Sequence, residues 1–243
     1  MAASDGGDEA RLVWERPEPP GRPALSPLSR DRIVGAAIEL ADGAGLAAVS
    51  LRKVAAKLDA GPMRLYGYIA TKEELLDLMV DAVYGEIAAS EDTGGEWEAV
   101  LRNRARRMRR AAHRHRWFVD LLGARPHVGP NALSHQEATL AALVGAPGFA
   151  DIDAALKAVA AVTSYTIGAV RQEITDLRAE RATGMNEWQM QQALGPYMER
   201  VLSTGRYPTV AKVVRDARHD DADTVFEVGL DYLIGGIAAG AEG

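Results

Sequence analysis

From Ser29 onward, apolar residues return at intervals of three and four, and no segment of any length alternates apolar with polar. That period lines residues up along one stripe of an α-helix, whereas a half-buried strand needs a period of two. The chain is therefore expected to be all-α. Its 243 residues, 47% of them hydrophobic, are enough to bury a sizeable core. There is no cysteine, which excludes disulfides, cysteine-ligated zinc and thiol catalysis. No apolar run reaches the roughly 18 residues that span a bilayer. Residues 1–27 carry Asp5, Asp8 and Glu9 and lack the apolar stretch of a secretory signal. A cytoplasmic protein with no membrane partner is expected.

Helix signals divide the chain. The stretch 1–27, with "ERPEPPGRPALSP", is too rich in Pro, Gly and charge to form a core and reads as a flexible arm. Arg11, Arg16 and Arg22 on it leave open an arm that follows a DNA groove. Ser29 can cap a first helix to about Asp42, with Ile33, Ala37 and Leu40 on one face, stopped by "GAG" at 43–45. Ser50 can cap a short second helix whose Leu51, Val54, Ala55 and Leu58 share a face. Gly61 and Pro62 suit the start of a third helix, expected to end near Ile69. "TKEE" from Thr71 to Glu74 is a capping box for a fourth. Further helices are expected at about 96–116, 130–144, 151–180, 186–203 and 222–239.

Two short helices joined by a tight turn have helix-turn-helix geometry, whose second helix enters the DNA major groove. Leu65 and Ile69, four apart, can share the packed face, which leaves Pro62, Met63, Arg64 and Gly67 outward. Arg64 suits a guanine edge or a phosphate, Tyr66 and Tyr68 offer hydroxyls for phosphate, and Lys72 opens the next helix. The charge balance agrees. Between Leu28 and Lys72 seven basic residues face four acidic ones, although the whole chain carries −6. A small helical bundle with core tyrosines and solvated charges is the alternative.

The segment "RIVGAAIELADGAGLAAVSLRKVAAKLDAGPMRLYGYIATKEELLDLMVDAV" (32–83) resembles the DNA-binding domain of the tetracycline-repressor (TetR) family. The shared features are the Gly before "LAAVSLRKVAAKL", the "LY" pair and "TKEELL". Asp59 departs from the usual glycine after the second helix, and Gly67 from a larger side chain. The resemblance implies a three-helix DNA-binding domain at 28–73 joined to a larger helical ligand-binding and dimerisation domain at 74–243. It implies contacts to a double-stranded DNA operator at Arg52, Pro62, Met63, Arg64, Tyr66, Tyr68 and Lys72.

"EWEAVLRNRARRMRR", "LLGARP", "AVTSYTIGAV" and "FEVGLDYLIGGI" extend the likeness to the family's tetracycline-binding branch. It implies a pocket for an unknown small-molecule effector at Arg104, Met108, Arg125 and Pro126. Polarity and position add Trp117, Asn131, His135, Thr163, Thr166 and Trp188. That branch holds the drug's metal through a histidine, a threonine and a glutamate, for which Leu121, Ala124 and Gln172 stand here. No cofactor and no metal is expected, and His113 and His115, two apart, do not share a helix face. The stripes Leu156–Val159–Thr163–Ile167–Val170–Ile174–Leu177 and Phe226–Leu230–Leu233–Ile234–Ile237, with Gly229 and Gly236, are either chain core or a homodimer interface, which the resemblance favours. No phosphate loop, His-Glu helix motif or Gly-x-Ser-x-Gly elbow points to an enzyme. The expected function is a transcriptional repressor released by its effector, with a helical ligand-binding protein lacking DNA binding as the alternative.

Overall fold

The computed structural model describes residues 12–19, 28–88, 96–123, 126–149, 151–218 and 220–241. Among these there are eleven α-helices and no strand. The head holds α1 (Arg30–Ala44), α2 (Leu51–Lys57) and α3 (Pro62–Leu65). The body holds α4 (Lys72–Ala88), α5 (Trp97–Arg114), α6 (Phe118–Leu121), α7 (Pro130–Leu143), α8 (Ile152–Thr183), α9 (Glu187–Leu202), α10 (Pro208–Asp216) and α11 (Ala222–Ala241). The caps sit where the side chains allow. Ser29, Ser50 and Asp151 accept from the backbone N–H three residues on, and Asn186 and Gln189 close a capping box. Helices α6 and α10 are not expected from the spacing; both are short, and the valines of α10, Val210, Val213 and Val214, are all exposed.

The head packs Ile33, Ala37, Val54, Ala55, Leu65 and Ile69 into one core continuous with Leu75, Met79 and Val83 of α4. Asp59 takes the left-handed turn with φ 50° that glycine would adopt without strain. Helix α3 is a single turn, shorter than its spacing predicts, and Leu65 and Ile69 are buried although only Leu65 is helical.

Head and body meet at a partly buried polar junction. His115, at the end of α5, turns Nδ1 to the Asp42 carboxylate of α1 (2.9 and 3.0 Å) and Nε2 to Glu86 of α4 (3.3 Å). Trp117 donates its indole N–H to Asp42 at 2.7 Å. Trp117, expected at the effector pocket, is thereby tied to this junction, because a buried indole donor needs an acceptor in reach. His113 points elsewhere, to Glu173 of α8.

Helix α7 is seated by a carboxylate from another helix. Asp81 of α4 is buried, and its oxygens accept from Ala132 N (2.9 Å) and from Asn131 N and Nδ2 (3.4 and 3.1 Å). Asn131, expected in the pocket, is thereby committed to holding α7. Gly129 makes the fit possible, since a Cβ there would lie 2.3 Å from Asp81 Oδ1.

The arginine-rich face of α5 is neutralised by neighbouring helices. Arg106 grips Glu227 with Nε and Nη2 (2.8 and 2.7 Å), Arg109 reaches Glu173 and Asp223, and Arg102 pairs with Asp231. Hydrogen bonding from Arg106 holds the Glu227 carboxyl below its usual range. A lowered folded-state pKa adds stability above the unfolded value and loses it as pH falls through the folded one. Glu227 is partly exposed, so that contribution is small.

The stripes of α8 and α11 pack on each other within the chain. Val159, Val162, Phe226, Leu230 and Ile234 share a core with Trp97, Leu101 and Phe149. Tyr165 lies over Gly229 and donates to the Phe226 carbonyl at 2.8 Å. Gly236 faces open space. The apolar residues that α8 and α11 leave exposed are instead Ile152, Leu156, Val225, Val228 and Tyr232.

Candidate functional site

The outer surface of the head carries most of the residues expected there. Arg52, Pro62, Met63, Arg64, Tyr66 and Lys72 are exposed, with Met63 at 80% and Tyr66 at 50%. Two short helices crossing at a tight turn bring Arg52, at the start of α2, and Arg64, at the end of α3, onto one head. Lys72 opens α4, whose first turn is held by Thr71 accepting from Glu74 N at 3.1 Å. The Glu74 carboxylate accepts from Ala70 N at 2.8 Å. The capping box is therefore shifted by one residue on its return bond.

Tyr68 departs from expectation. It is 4% exposed and its ring belongs to the head core. The cause is the brevity of α3. The chain leaves helical geometry after Leu65, and the turn that follows rotates Tyr68 inward beside Ile69.

A second cluster lies inside the body. Arg104 of α5 is buried, and its guanidinium donates to Thr139 Oγ1 (2.9 Å), Gln136 Oε1 (3.2 Å) and the His135 carbonyl (3.4 Å), all on α7. Tyr84 of α4 stands beside it, with ring centroids 5.8 Å from His135 and 6.0 Å from His127. Burial raises the Tyr84 phenol above its usual range, offset in part by Arg104, so it stays a neutral donor at neutral pH. Met108, one turn beyond Arg104, is buried, as is Thr166 of α8, which donates to the Val162 carbonyl at 2.7 Å. Thr163, one turn before Ile167, holds a buried hydroxyl oxygen without a hydrogen-bond partner.

Of the expected pocket residues, the structure brings together Arg104 and His135. Pro126 and Trp188 are exposed, Trp188 at 65%, and Arg125 lies outside the described residues, as do Ala124, Arg11 and Arg22. Tyr84, His127, Gln136 and Thr139 join this cluster without having been expected there. The i, i+4 pair His135–Thr139 was the available sign for α7; Tyr84 gave none, because its helix reads as plain core.

Residues 90–240 match the family described as tetracyclin repressor-like, C-terminal domain. The HTH-type transcriptional repressor DrrR1 of Streptomyces coeruleorubidus is 37% identical over 238 residues, covering 96% of this chain and 87% of that protein. The chain belongs to the TetR family. This TetR-family regulator is also 31% identical to the class D tetracycline repressor of Escherichia coli over 219 residues, 87% of this chain and 90% of the relative. Among solved structures, the Streptomyces coelicolor TetR family protein ActR in complex with actinorhodin superimposes with a TM-score of 0.75 at 28% identity. It covers 89% of this chain and 98% of that one. The TetR-family regulator is a DNA-binding transcriptional regulator under small-molecule control. No helix among its described residues is long and apolar enough to cross a membrane.

Proposed function

We propose that the regulator grips operator DNA through Arg52, Pro62, Met63, Arg64, Tyr66 and Lys72, and that a small molecule seated at the Arg104–Tyr84–His135 cluster releases it. The observation that carries the first half is the exposure of these six residues together at the head, whereas Arg102, Arg106 and Arg109 on the body are paired with carboxylates. The second half is supported by a guanidinium, a neutral phenol and two imidazoles gathered in a buried interior. Such a set favours an aromatic ligand with an anionic or strongly accepting group. The relative crystallised with actinorhodin shows that this fold holds a small molecule. The His115–Asp42–Trp117 junction is the link through which a shift in the body would reach the head, and by linkage operator and effector weaken each other equally.

Two chains pair through the exposed apolar faces of α8 and α11, giving a two-fold molecule suited to two operator half-sites. The regulator acts in the cytoplasm, where its DNA is, and works by binding and not by catalysis.

Arg64→Ala is expected to weaken specific binding by about 1–3 kcal/mol if it reads a base. Lys72→Ala is expected to weaken all sequences alike and to flatten the salt dependence. Fragments selected from genomic DNA, titrated at several salt concentrations, test both; unchanged affinity at matched salt in both variants sinks the interface.

The regulator is also expected not to bind magnesium-tetracycline. Leu121 has no lone pair to offer, and Gln172 lies on the exposed face of α8 with its amide donating to Asp176 at 2.9 Å. Magnesium prefers hard, commonly anionic oxygen ligands. Calorimetric titration with tetracycline in excess magnesium is the check, and micromolar or tighter binding would refute this reading of the pocket.

A further inference from the structure

Residues 12–19 pack against the head instead of trailing from it. Val13 is 3% exposed, and the chain from Leu12 to Pro19 runs beside α1 and the α3–α4 turn. Three contacts tie it down at that turn. The Arg16 guanidinium pairs with Glu74, the same carboxylate that accepts from Ala70 N. Arg30, the first residue of α1, donates from Nη1 to the Arg16 carbonyl (2.5 Å) and from Nε to the Tyr68 carbonyl (3.2 Å). Pro19 lies against Gly67, its Cγ 3.3 Å from where a Cβ on that glycine would stand. At the other end of the bracket, Glu18 accepts from the Arg30 backbone N–H at 3.0 Å.

We propose that residues 12–19 form a strap that is a working part of the DNA-reading head, with Arg16 as a positioning residue for the segment from Tyr66 to Lys72. The physical need is plain. Helix α3 has one turn, too short to be held by its own hydrogen bonds, and Gly67 gives that segment no side chain to pack. The strap supplies both deficits from outside. Pro19 occupies the space beside Gly67, and the chain of contacts Arg30–Arg16–Glu74–Ala70 ties the beginning of α1 to the beginning of α4 across the turn. Arg16 does this with its guanidinium turned inward, where only 18% of its side chain is exposed. Its charge is spent on Glu74 and not offered to phosphate. Loss of Arg16 frees Glu74, loosens the Ala70 turn and blurs the placement of Tyr66 and Lys72.

This inference rests on the assignment of residues 62–72 as the DNA-reading segment. Its test uses the full-length protein and the tightest duplex that this protein recovers from a random-sequence library. Arg16→Ala is expected to weaken binding by about tenfold, from loss of a partly buried ion pair and the loosening of the Ala70 turn that Glu74 holds, with the slope of log affinity against log salt unchanged. Arg16→Lys, which can still reach Glu74, is expected to restore most of the affinity. In a Glu74→Gln background the Arg16→Ala change should cost much less, and amide exchange at Ala70 should quicken in either single variant. Arg16→Gln, which keeps the stem and drops the charge, serves the same purpose should the alanine variant not fold. Unchanged affinity in Arg16→Ala or Arg16→Gln overturns the proposal, as does tighter binding, which would make the strap a block. A salt slope smaller by about one also overturns it, because Arg16 would then touch phosphate itself. If Arg64→Ala and Lys72→Ala also leave affinity intact, the reading segment is wrong; if they weaken it and the Arg16 variants do not, only the strap fails.

Discussion

Gly129→Ala is expected to unseat α7 and to lower the melting temperature of the regulator by about 6–12 °C. The added Cβ would stand 2.3 Å from Asp81 Oδ1, 2.4 Å from its Cγ and 2.8 Å from its Cβ. No rotation of the carboxylate alone relieves a clash that reaches Asp81 Cβ, so the helices must part. Parting strands a buried carboxylate and the first N–H groups of α7 together. Leaving such groups unsatisfied costs about 1–3 kcal/mol for each neutral donor and more for a charge. A total near 3 kcal/mol is a reasonable scale, and in a chain of this length each kcal/mol shifts the midpoint by about 2–4 °C. Asp81→Asn, which keeps the shape and can accept from one side, should lose clearly less. The effect should also reach the Arg104 cluster, because α7 carries His135, Gln136 and Thr139 around that guanidinium. Melting followed by circular dichroism decides the matter; a Gly129→Ala protein that melts with the parent would show that α7 is not seated by Asp81.

Leu230→Asp, alone or with Ile234→Asp, is expected to prevent the body from folding. Both residues are 1% exposed or less, within a core that includes Trp97, Phe149 and Phe226. Deleting a leucine's bulk from such a site costs about 2–5 kcal/mol. A buried, unpaired carboxylate adds several more, and the sum rivals the roughly 5–15 kcal/mol that hold a domain together. Tyr232→Asp, at a position 78% exposed on the other face of α11, should instead leave the chain helical and separate the two copies. Light scattering with circular dichroism distinguishes the cases. A folded monomer from Leu230→Asp would return the buried stripe to the interface, where its spacing alone had allowed it.

That pair of variants shows what spacing can and cannot say. A period of three and four told that one face of α11 is buried, and it is. It could not tell whether the burying surface belongs to the same chain, because the hydrophobic effect has no direction and depends only on the area removed from water. Only the packed structure showed Val159 and Phe226 in one core of the same chain, leaving Val225, Val228 and Tyr232 to face outward.

Local chemistry was legible wherever it was local. Ser29 and Ser50 announced their helices, because a cap is a bond between a side chain and a backbone N–H three residues away. Pro62, Met63, Arg64 and Gly67 are exposed, as the spacing of Leu65 and Ile69 required. Tyr68 is not, since its direction depended on where a one-turn helix stopped, and helix ends are set by neighbours as much as by sequence. The rest was decided by contacts between residues far apart in the chain. Trp117 and Asn131 are polar-capable residues near the expected pocket, yet Asp42 and Asp81 claimed them, 75 and 50 positions away. Residues 12–19 read as arm because they lack a helical stripe. Their order comes from Glu74 and Arg30, partners that no local pattern names. The sequence by itself determined an all-helical chain with a basic reading head, because helical period and charge are local properties. Which groups line the interior, seat α7 and hold the reading turn was decided by tertiary structure, because a buried polar group must find its partner wherever in the chain that partner lies.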